Sequence, residues 1–188
     1  MELQGERLIP ASVDTTWASL NDPEVLKACI AGCESLERTG DDSLTAVVAL
    51  KVGPVSARFK GNLKMTNVQP PSGYTINFDG QGGVAGFGKG SADVALTAEG
   101  TQTRLKYNAR AQVGGKMAQV GSRLIDAAAG KITEDFFKAF EAHLQASAAP
   151  PGTEAALPVA VATDGGIAKV WWLIGAVVLL AVLYFVIR

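Results

Sequence analysis

Apolar residues recur at every second position through most of the stretch from residue 44 to residue 113. A period of two is typical of β-strands that bury one face and expose the other. Turn sequences such as Gly53-Pro54 and Pro70-Pro71-Ser72-Gly73 separate the alternating runs. Consecutive strands joined by short turns predict an antiparallel meander that is wet on one side. Its dry side needs a cover from elsewhere in the chain.

Residues 116–144 form the one segment of the predicted domain that is long enough to cover such a sheet. Apolar residues recur there at steps of three or four, which places them on one helix face; they are Met117, Val120, Leu124, Ala128, Ile132, Phe136 and Phe140. A continuous helix over this segment would span roughly 43 Å. Before the meander, the sequence predicts a strand at 2–9, two short helices and a strand at 34–39. Ser12 or Asp14 can cap the first short helix, and Pro23 can open the second.

The predicted helix is bulky at its C-terminal half and thin at Gly121 and residues 127–130. The inward positions of the sheet also include many small residues, namely Ala57, Gly61, Gly80, Gly90, Ala92, Ala109 and Ala111. Because protein interiors are densely packed, small residues facing small residues predict an apolar cavity. The alternative is that strong curvature of the sheet closes the space. The candidate cavity residues are Phe59, Leu63, Met65, Ile76, Phe78, Phe87, Tyr107, Ala109, Met117, Val120, Gly121 and Leu124.

The glycine-rich segment 80–90 superficially resembles a phosphate-binding loop, but a strand follows it where such loops need a helix. We predict a mobile hairpin tip with one exposed apolar residue, Phe87, which could gate the cavity, enter a membrane or meet a partner. No catalytic triad, metal cluster or paired-carboxylate site is evident. The single histidine, His143, and the cysteines Cys29 and Cys33 suit structural roles.

The 188-residue chain has a formal net charge of −1, which does not point to nucleic acid. The outward sheet positions are nevertheless rich in basic residues, which are Lys51, Arg58, Lys60, Lys64, Arg104, Lys106 and Arg110. An ordinary solvated face is one explanation. Docking onto an acidic protein or anionic lipid is the other.

An uninterrupted apolar run occupies residues 170–187, long enough to cover roughly 27 Å as a helix. Its expected anchor residues are Val170, Trp171, Trp172, Leu173, Tyr184 and Phe185, with aromatics near both ends as at membrane interfaces. Residues 146–168 are rich in Ala, Pro and Gly, which is typical of a flexible linker. Since MELQGERLIP lacks a signal-peptide core, we expect a single-pass tail anchor in the cytoplasmic membrane, with the domain facing the cytoplasm.

The order of a strand, two short helices, six strands and a long helix is similar to the α+β helix-grip fold of START and Bet v 1-like proteins. In that fold, a curved antiparallel sheet grips a long C-terminal helix. Four stretches resemble the CoxG family of carbon monoxide dehydrogenase proteins: GCESLE at 32–37, KVGPVSARFKG at 51–61, the glycine-rich loop at 80–90 and VGGKMAQVGSRLIDAAAGKITEDFF at 113–137. Ala31 stands where the family usually has Pro, which affects a turn only. The expected organisation is a START-like hydrophobic-ligand-binding domain at 1–145, a linker at 146–168 and a transmembrane anchor at 169–188.

The resemblance implies a non-catalytic accessory protein with no covalently bound cofactor. Its implied partners are a cytoplasmic molybdenum-containing carbon monoxide dehydrogenase and the membrane lipid and quinone pool, with no nucleic acid. It would recruit the enzyme to the membrane and carry a quinone, menaquinone or ubiquinone, in its cavity. On packing grounds alone, Tyr107 is the inward polar group to test against the quinone ring. The alternatives are a purely structural adaptor, a carrier of another lipid-like ligand and, least favoured, a cyclase-type enzyme.

Overall fold

The computed structural model describes residues 1–148, so the predicted anchor and all but the first three residues of the predicted linker lie outside the described part. The elements in chain order are β1 (Glu2–Ile9), α1 (Val13–Leu20), α2 (Pro23–Cys29), β2 (Cys33–Gly40), β3 (Ser43–Val52), β4 (Val55–Gln69), β5 (Gly73–Gln81), β6 (Phe87–Glu99), β7 (Gln102–Gly114), α3 (Lys116–Gln119) and α4 (Ser122–Ala148). Within residues 1–148, no helix combines the length and the apolar character needed to cross a bilayer.

Seven antiparallel strands form one sheet in the order β1-β7-β6-β5-β4-β3-β2. Strands β2 to β7 pair consecutively, which confirms the predicted meander, and β1 completes the sheet by pairing with β7. Gly53 and Gly100 adopt positive φ in two of the hairpin turns, a conformation that glycine reaches at little cost. The predicted six-strand run and the preceding strand are therefore both present.

The two short helices begin where the sequence predicts. The Ser12 hydroxyl accepts a hydrogen bond from the backbone N–H of Thr15, so Ser12 rather than Asp14 caps α1. Asp22 accepts from the N–H of Glu24, and Pro23 occupies the first turn of α2. These caps position α1 and α2 against the sheet between β1 and β2.

Two hydrophobic clusters hold the fold together. The larger joins β1, α1, α2, β6 and β7 to the C-terminal half of α4, and its buried residues are Ile9, Leu20, Val25, Cys29, Leu96, Leu105, Phe137, Phe140 and Leu144. The smaller lies beneath α2 on β2 to β4 and contains Leu36, Leu44, Ala46 and Met65. Phe140 is fully buried and stacks on Phe136 with ring centroids 5.7 Å apart. The bulky half of α4 is thus core, as predicted.

The prediction of one continuous helix over residues 116–144 is wrong. The helix α3 ends at Gln119, and α4 starts at Ser122 and runs to Ala148. Gly121 lies between them with φ of +92°, which is outside the helical region and which an L side chain would reach only with strain. Gly121 therefore breaks the helix rather than thinning it.

The prediction of a loop over residues 80–90 is also wrong in extent. Strand β5 continues to Gln81 and β6 begins at Phe87, so only residues 82–86 connect them. A single 3-10 turn at Gly83–Ala85 forms the tip. Val84, not Phe87, is its most exposed apolar residue, and the buried Ala85 holds the tip against the sheet. Backbone pairing across the glycines makes this segment strand, because glycine lacks a side chain but retains its ladder hydrogen bonds.

Candidate functional site

The inner face of the sheet is apolar and incompletely covered at its centre. Phe59, Leu63 and Phe78 alternate with exposed polar neighbours, as the period of two predicts, but these three side chains are only half-buried. Ala109 on β7 is half-buried as well. Buried residues instead concentrate in the two clusters to either side.

Strand register explains how large and small residues are distributed on this face. Leu63, Phe78, Gly90 and Ala111 stand in one row across β4 to β7. The Phe78 ring lies across Gly90, where an added Cβ would approach it to 2.8 Å. Large side chains therefore come from β4 and β5, while β6 and β7 contribute glycine and alanine. The β6–β7 side of the face is correspondingly shallow.

The N-terminal half of α4 does not fill the space above the sheet. No residue from Ser122 to Phe136 is buried, and Leu124 exposes 48% of its surface. A Cβ added at Gly130 would meet no atom within 4 Å. Leu124 does reach the β3–β4 turn, where its Cδ1 would lie 3.5 Å from a Cβ on Gly53. The helix therefore touches the sheet at its first turn and packs tightly only from Phe137 onward.

A small enclosed pocket lies between the sheet and the two short helices, a place that the sequence analysis did not identify. It has a volume of about 50 Å³, and its lining comprises Leu20, Asn21, Leu26, Ile30, Leu36, Arg38, Leu44, Leu63, Met65, Tyr74 and Ile76. Three predicted cavity residues, Leu63, Met65 and Ile76, are among them. Drug-sized ligands occupy pockets of about 300–1,000 Å³, so this pocket alone is too small for a ring with a long tail.

A larger depression of about 840 Å³ crosses β1, β5, β6 and β7 and is open to solvent. Its polar lining comes largely from outward positions, including Asp79, Lys89 and Arg110. Arg110 and Glu2, which also borders it, form an ion pair at 3.2 Å. Volume alone would favour this depression, but its polar, open lining does not suit a hydrophobic ligand as well as the inner face does.

Tyr107 faces inward, but its ring turns toward the edge of the sheet. It packs against Phe137 with ring centroids 5.5 Å apart. Its hydroxyl lies over Gly5 of β1, 2.5 Å from where a Cβ would stand. The expected polar group is therefore at the β1 side of the inner face rather than at its centre.

Charged side chains at inward strand positions within residues 1–148 come only from the two edge strands. On β1, Arg7 pairs with Glu134 of α4 and lies over the Phe137 ring at 5.5 Å. On β2, Arg38 donates to the backbone carbonyls of Asp41 and Asn21. Inward charges on edge strands oppose edge-to-edge pairing with other chains. The alternation in β1 would have identified Arg7, but the sequence analysis did not use it.

The remaining predicted cavity residues occupy different surroundings. Phe87 lies on the outward side of β6, where its ring covers Gly114 of β7. This position differs from the prediction, because β6 begins at Phe87 and pairs it directly with Gly114. Met117 is buried next to the tip, whereas Val120 is half-buried and precedes the break at Gly121.

Reactive side chains are few in the described region. Burial raises the pKa of the Cys29 thiol, and desolvation raises the pKa of Cys33 more than the nearby Lys27 lowers it. Both thiols are free and neutral in this setting. Among residues 1–148, no group of three or more His, Cys, Asp or Glu side chains is placed to hold a metal ion.

Several solved structures share this fold. A conserved protein from Geobacillus kaustophilus is 31% identical, with a TM-score of 0.74 over 78% of this chain and 97% of that one. A START superfamily protein from Mycobacterium smegmatis is 17% identical, with a TM-score of 0.59 over 78% and 98% of the two chains. An aromatase/cyclase from a Streptomyces species is 11% identical, with a TM-score of 0.56 over 77% and 93%. These likenesses identify a START-like fold.

The sequence comparisons place the chain in a family. No curated protein matches it significantly. Residues 5–145, most of the described domain, match the CoxG family of carbon monoxide dehydrogenase proteins. That match includes every strand but the first residues of β1, together with both parts of the C-terminal helical segment. The chain therefore belongs to the carbon monoxide dehydrogenase CoxG family.

Proposed function

We propose that this protein is a membrane-anchored, non-catalytic carrier that binds a quinone of the menaquinone or ubiquinone type. The observation that carries the proposal is the incompletely covered inner face between the sheet and the first half of α4. Phe59, Leu63 and Phe78 supply apolar walls there, and all three stay half-buried. A START-like fold in the CoxG family suggests a hydrophobic-ligand-binding domain.

The two sides of the inner face suit the two parts of a quinone. The shallow β6–β7 side, with Gly90 and Ala109, leaves room for an apolar tail. The polar ring would lie toward β1, where Arg7 and Tyr107 can donate hydrogen bonds to its carbonyl oxygens. Arg7 already pairs with Glu134, so a ligand would share its remaining N–H groups rather than meet a free charge.

The family name implies association with carbon monoxide dehydrogenase. We propose that the protein recruits that molybdenum enzyme to the cytoplasmic membrane and carries quinone between the enzyme and the bilayer. Residues 169–188 would act as a single tail anchor, and residues 146–168 would be the linker. The linker raises the effective concentration of the domain near both bilayer and enzyme.

Extraction of bound lipid from purified protein tests carriage directly. The domain of residues 1–148, produced in cells that contain quinone, should release a quinone on solvent extraction, identified by mass spectrometry. Ala109→Leu places a larger side chain on the inner face and should lower the bound fraction. Ala95→Leu is the matched control, because Ala95 is exposed on the outward side of β6.

The outcome separates the carrier from its alternatives. A domain that yields no quinone but still recruits the dehydrogenase would be a structural adaptor. A different co-purified lipid would identify another lipid-like cargo. If Ala109→Leu retains as much quinone as Ala95→Leu, the inner face is not the binding site.

A further inference from the structure

Three connections meet at the end of the sheet that is remote from the larger core cluster. They are residues 51–56 between β3 and β4, residues 80–88 around the β5–β6 tip, and residues 112–124 from β7 into α4. We call these three segments the open end. Backbone contact between Gly86 and Gly115 joins the second segment to the third, and Leu124 reaches Gly53 of the first. The inner face is uncovered next to this end, whereas Leu96, Leu105 and Phe140 close the other.

Large apolar side chains are exposed on separate parts of the open end. Val84 exposes 85% of its surface, Leu124 48% and Phe87 39%. The backbone beneath them is held in place, because Ala85 and Met117 are both buried. The exposure is therefore a property of an ordered surface, and exposed apolar groups grouped this way mark an interaction site.

The charge of the open end has one sign. Lys51, Lys116 and Arg123 are exposed, and none of the three segments contains Asp or Glu. Within residues 1–148, these three side chains form no ion pair, whereas Arg58 and Arg104 on the outward sheet face do. The nearest acidic residues, Asp79 and Asp126, lie just beyond the segments.

We infer that the open end is a docking surface for an anionic lipid bilayer. Val84, Phe87 and Leu124 would enter the boundary between headgroups and acyl chains, and the basic residues would contact lipid phosphates. A bilayer is the favoured occupant because the apolar residues lie on different segments with cationic groups beside them. A membrane surface accepts such a scattered arrangement, while a protein partner needs matched pockets.

This docking would give the proposed carrier a direct route for its ligand, and in that respect the inference rests on the proposed function. The uncovered inner face adjoins the open end, so a ligand could move between bilayer and protein without crossing bulk water. The predicted anchor would keep the protein near the membrane, whereas the open end would set the orientation in which the domain meets it.

Vesicle binding by the domain of residues 1–148 tests the inference without the anchor. Both hydrophobic clusters lie inside this domain, and it corresponds to 97% of the separately crystallised Geobacillus chain, so it can fold alone. Co-sedimentation should show binding to vesicles that contain phosphatidylglycerol, weaker binding to pure phosphatidylcholine vesicles and loss of binding at high salt.

Two sets of variants locate the surface. Lys116→Glu with Arg123→Glu should weaken binding to the anionic vesicles by about tenfold or more, and Val84→Asp should also weaken it. Negative charge near a helix N-terminus is favourable, so the charge variants should remain folded, which circular dichroism would verify. The matched controls are Lys60→Glu with Lys64→Glu on the outward face, and Val68→Asp on β4, which should bind more like the unchanged domain.

Quinone content measured in the same variants keeps the two proposals distinguishable. Vesicle binding that depends on the open end, in a domain without quinone, would support docking and contradict carriage. Quinone retention with equal vesicle binding by open-end and control variants would contradict docking alone. If the open-end variants lose affinity for the dehydrogenase while vesicle binding is unchanged, the surface belongs to a protein partner and the inference is wrong.

Discussion

Gly86 and Gly115 pack backbone against backbone, so that a Cβ on Gly115 would lie 2.5 Å from the Cα of Gly86. Both residues have positive φ, at +111° and +74°. A Cβ on Gly86 would in turn overlap the carbonyl oxygen of Gly114. This contact ties the β5–β6 tip to the turn that leads into α3, and it orders the open end without a side chain.

A Gly86→Ala substitution should therefore destabilise the domain by about 2–4 kcal/mol, because it adds both a backbone overlap and an unfavourable φ. Gly83→Ala is the matched control in the same tip. Gly83 also has positive φ, at +59°, but its Cβ would meet nothing within 4 Å. That variant should cost only about 1–2 kcal/mol. Urea denaturation compares them, and equal losses would contradict the importance of the Gly86–Gly115 contact.

The two halves of α4 should respond differently to truncation of an apolar side chain. Phe140→Ala removes a fully buried ring and should cost about 3–5 kcal/mol. Leu124→Ala should cost less than about 1 kcal/mol, since nearly half of that side chain is exposed. Free energies of unfolding from urea titrations would measure both. A large loss for Leu124→Ala would show that the first half of α4 packs more tightly than its exposure indicates.

Stability should fall at alkaline pH because of Tyr74. Burial raises the pKa of its phenol from 10.0 to about 12, and its ring meets Trp17 edge to face at 5.5 Å. The unfolded chain ionises first, so this contribution is complete below pH 10 and is lost as pH rises toward 12. Two pKa units correspond to about 3 kcal/mol at most.

The Tyr74→Phe variant isolates that effect from other groups that titrate in the same range. It should lose less stability between pH 9 and pH 11.5 than the unchanged domain does, as measured by urea denaturation at each pH. If the two proteins lose equal stability over this interval, the Tyr74 phenol is not the group responsible.

Removal of residues 149–188 should convert tight membrane association into weak association. The full chain should stay in the membrane fraction after washing with high salt, because the apolar run 170–187 provides the anchor. The shortened chain should be released by salt, since only the open end would hold it. A full chain that salt removes, or a shortened chain that resists salt, would contradict the assignment of the anchor to this run.

The break between α3 and α4 shows why helical periodicity was insufficient at one point. Met117, Val120 and Leu124 follow the spacing of a helix, but Gly121 adopts φ of +92° and turns the chain. A glycine that closely follows a short helical run is a usual termination signal. The apolar spacing continued through it because residues on both sides face the same end of the domain.

Tyr107 shows the limit of reasoning from strand alternation. Alternation correctly assigns its side chain to the inner face, yet its ring lies over Gly5, a residue more than a hundred positions away. Pairing of β1 with β7 creates that neighbourhood. The same pairing brings Arg7 beside Phe137 and Glu134, contacts that no local pattern reveals.

The sequence by itself determined the meander and which residues of β3 to β7 face inward, because the period of two is a local property of an extended chain. Only the tertiary structure decided how those faces are used. Strand register placed Phe87 outward over Gly114 and set Phe78 across Gly90. The pocket beneath α1 and α2 and the uncovered centre beside α4 depend on how separate elements pack. Packing is non-local, since it is set by side chains that meet only after the chain has folded.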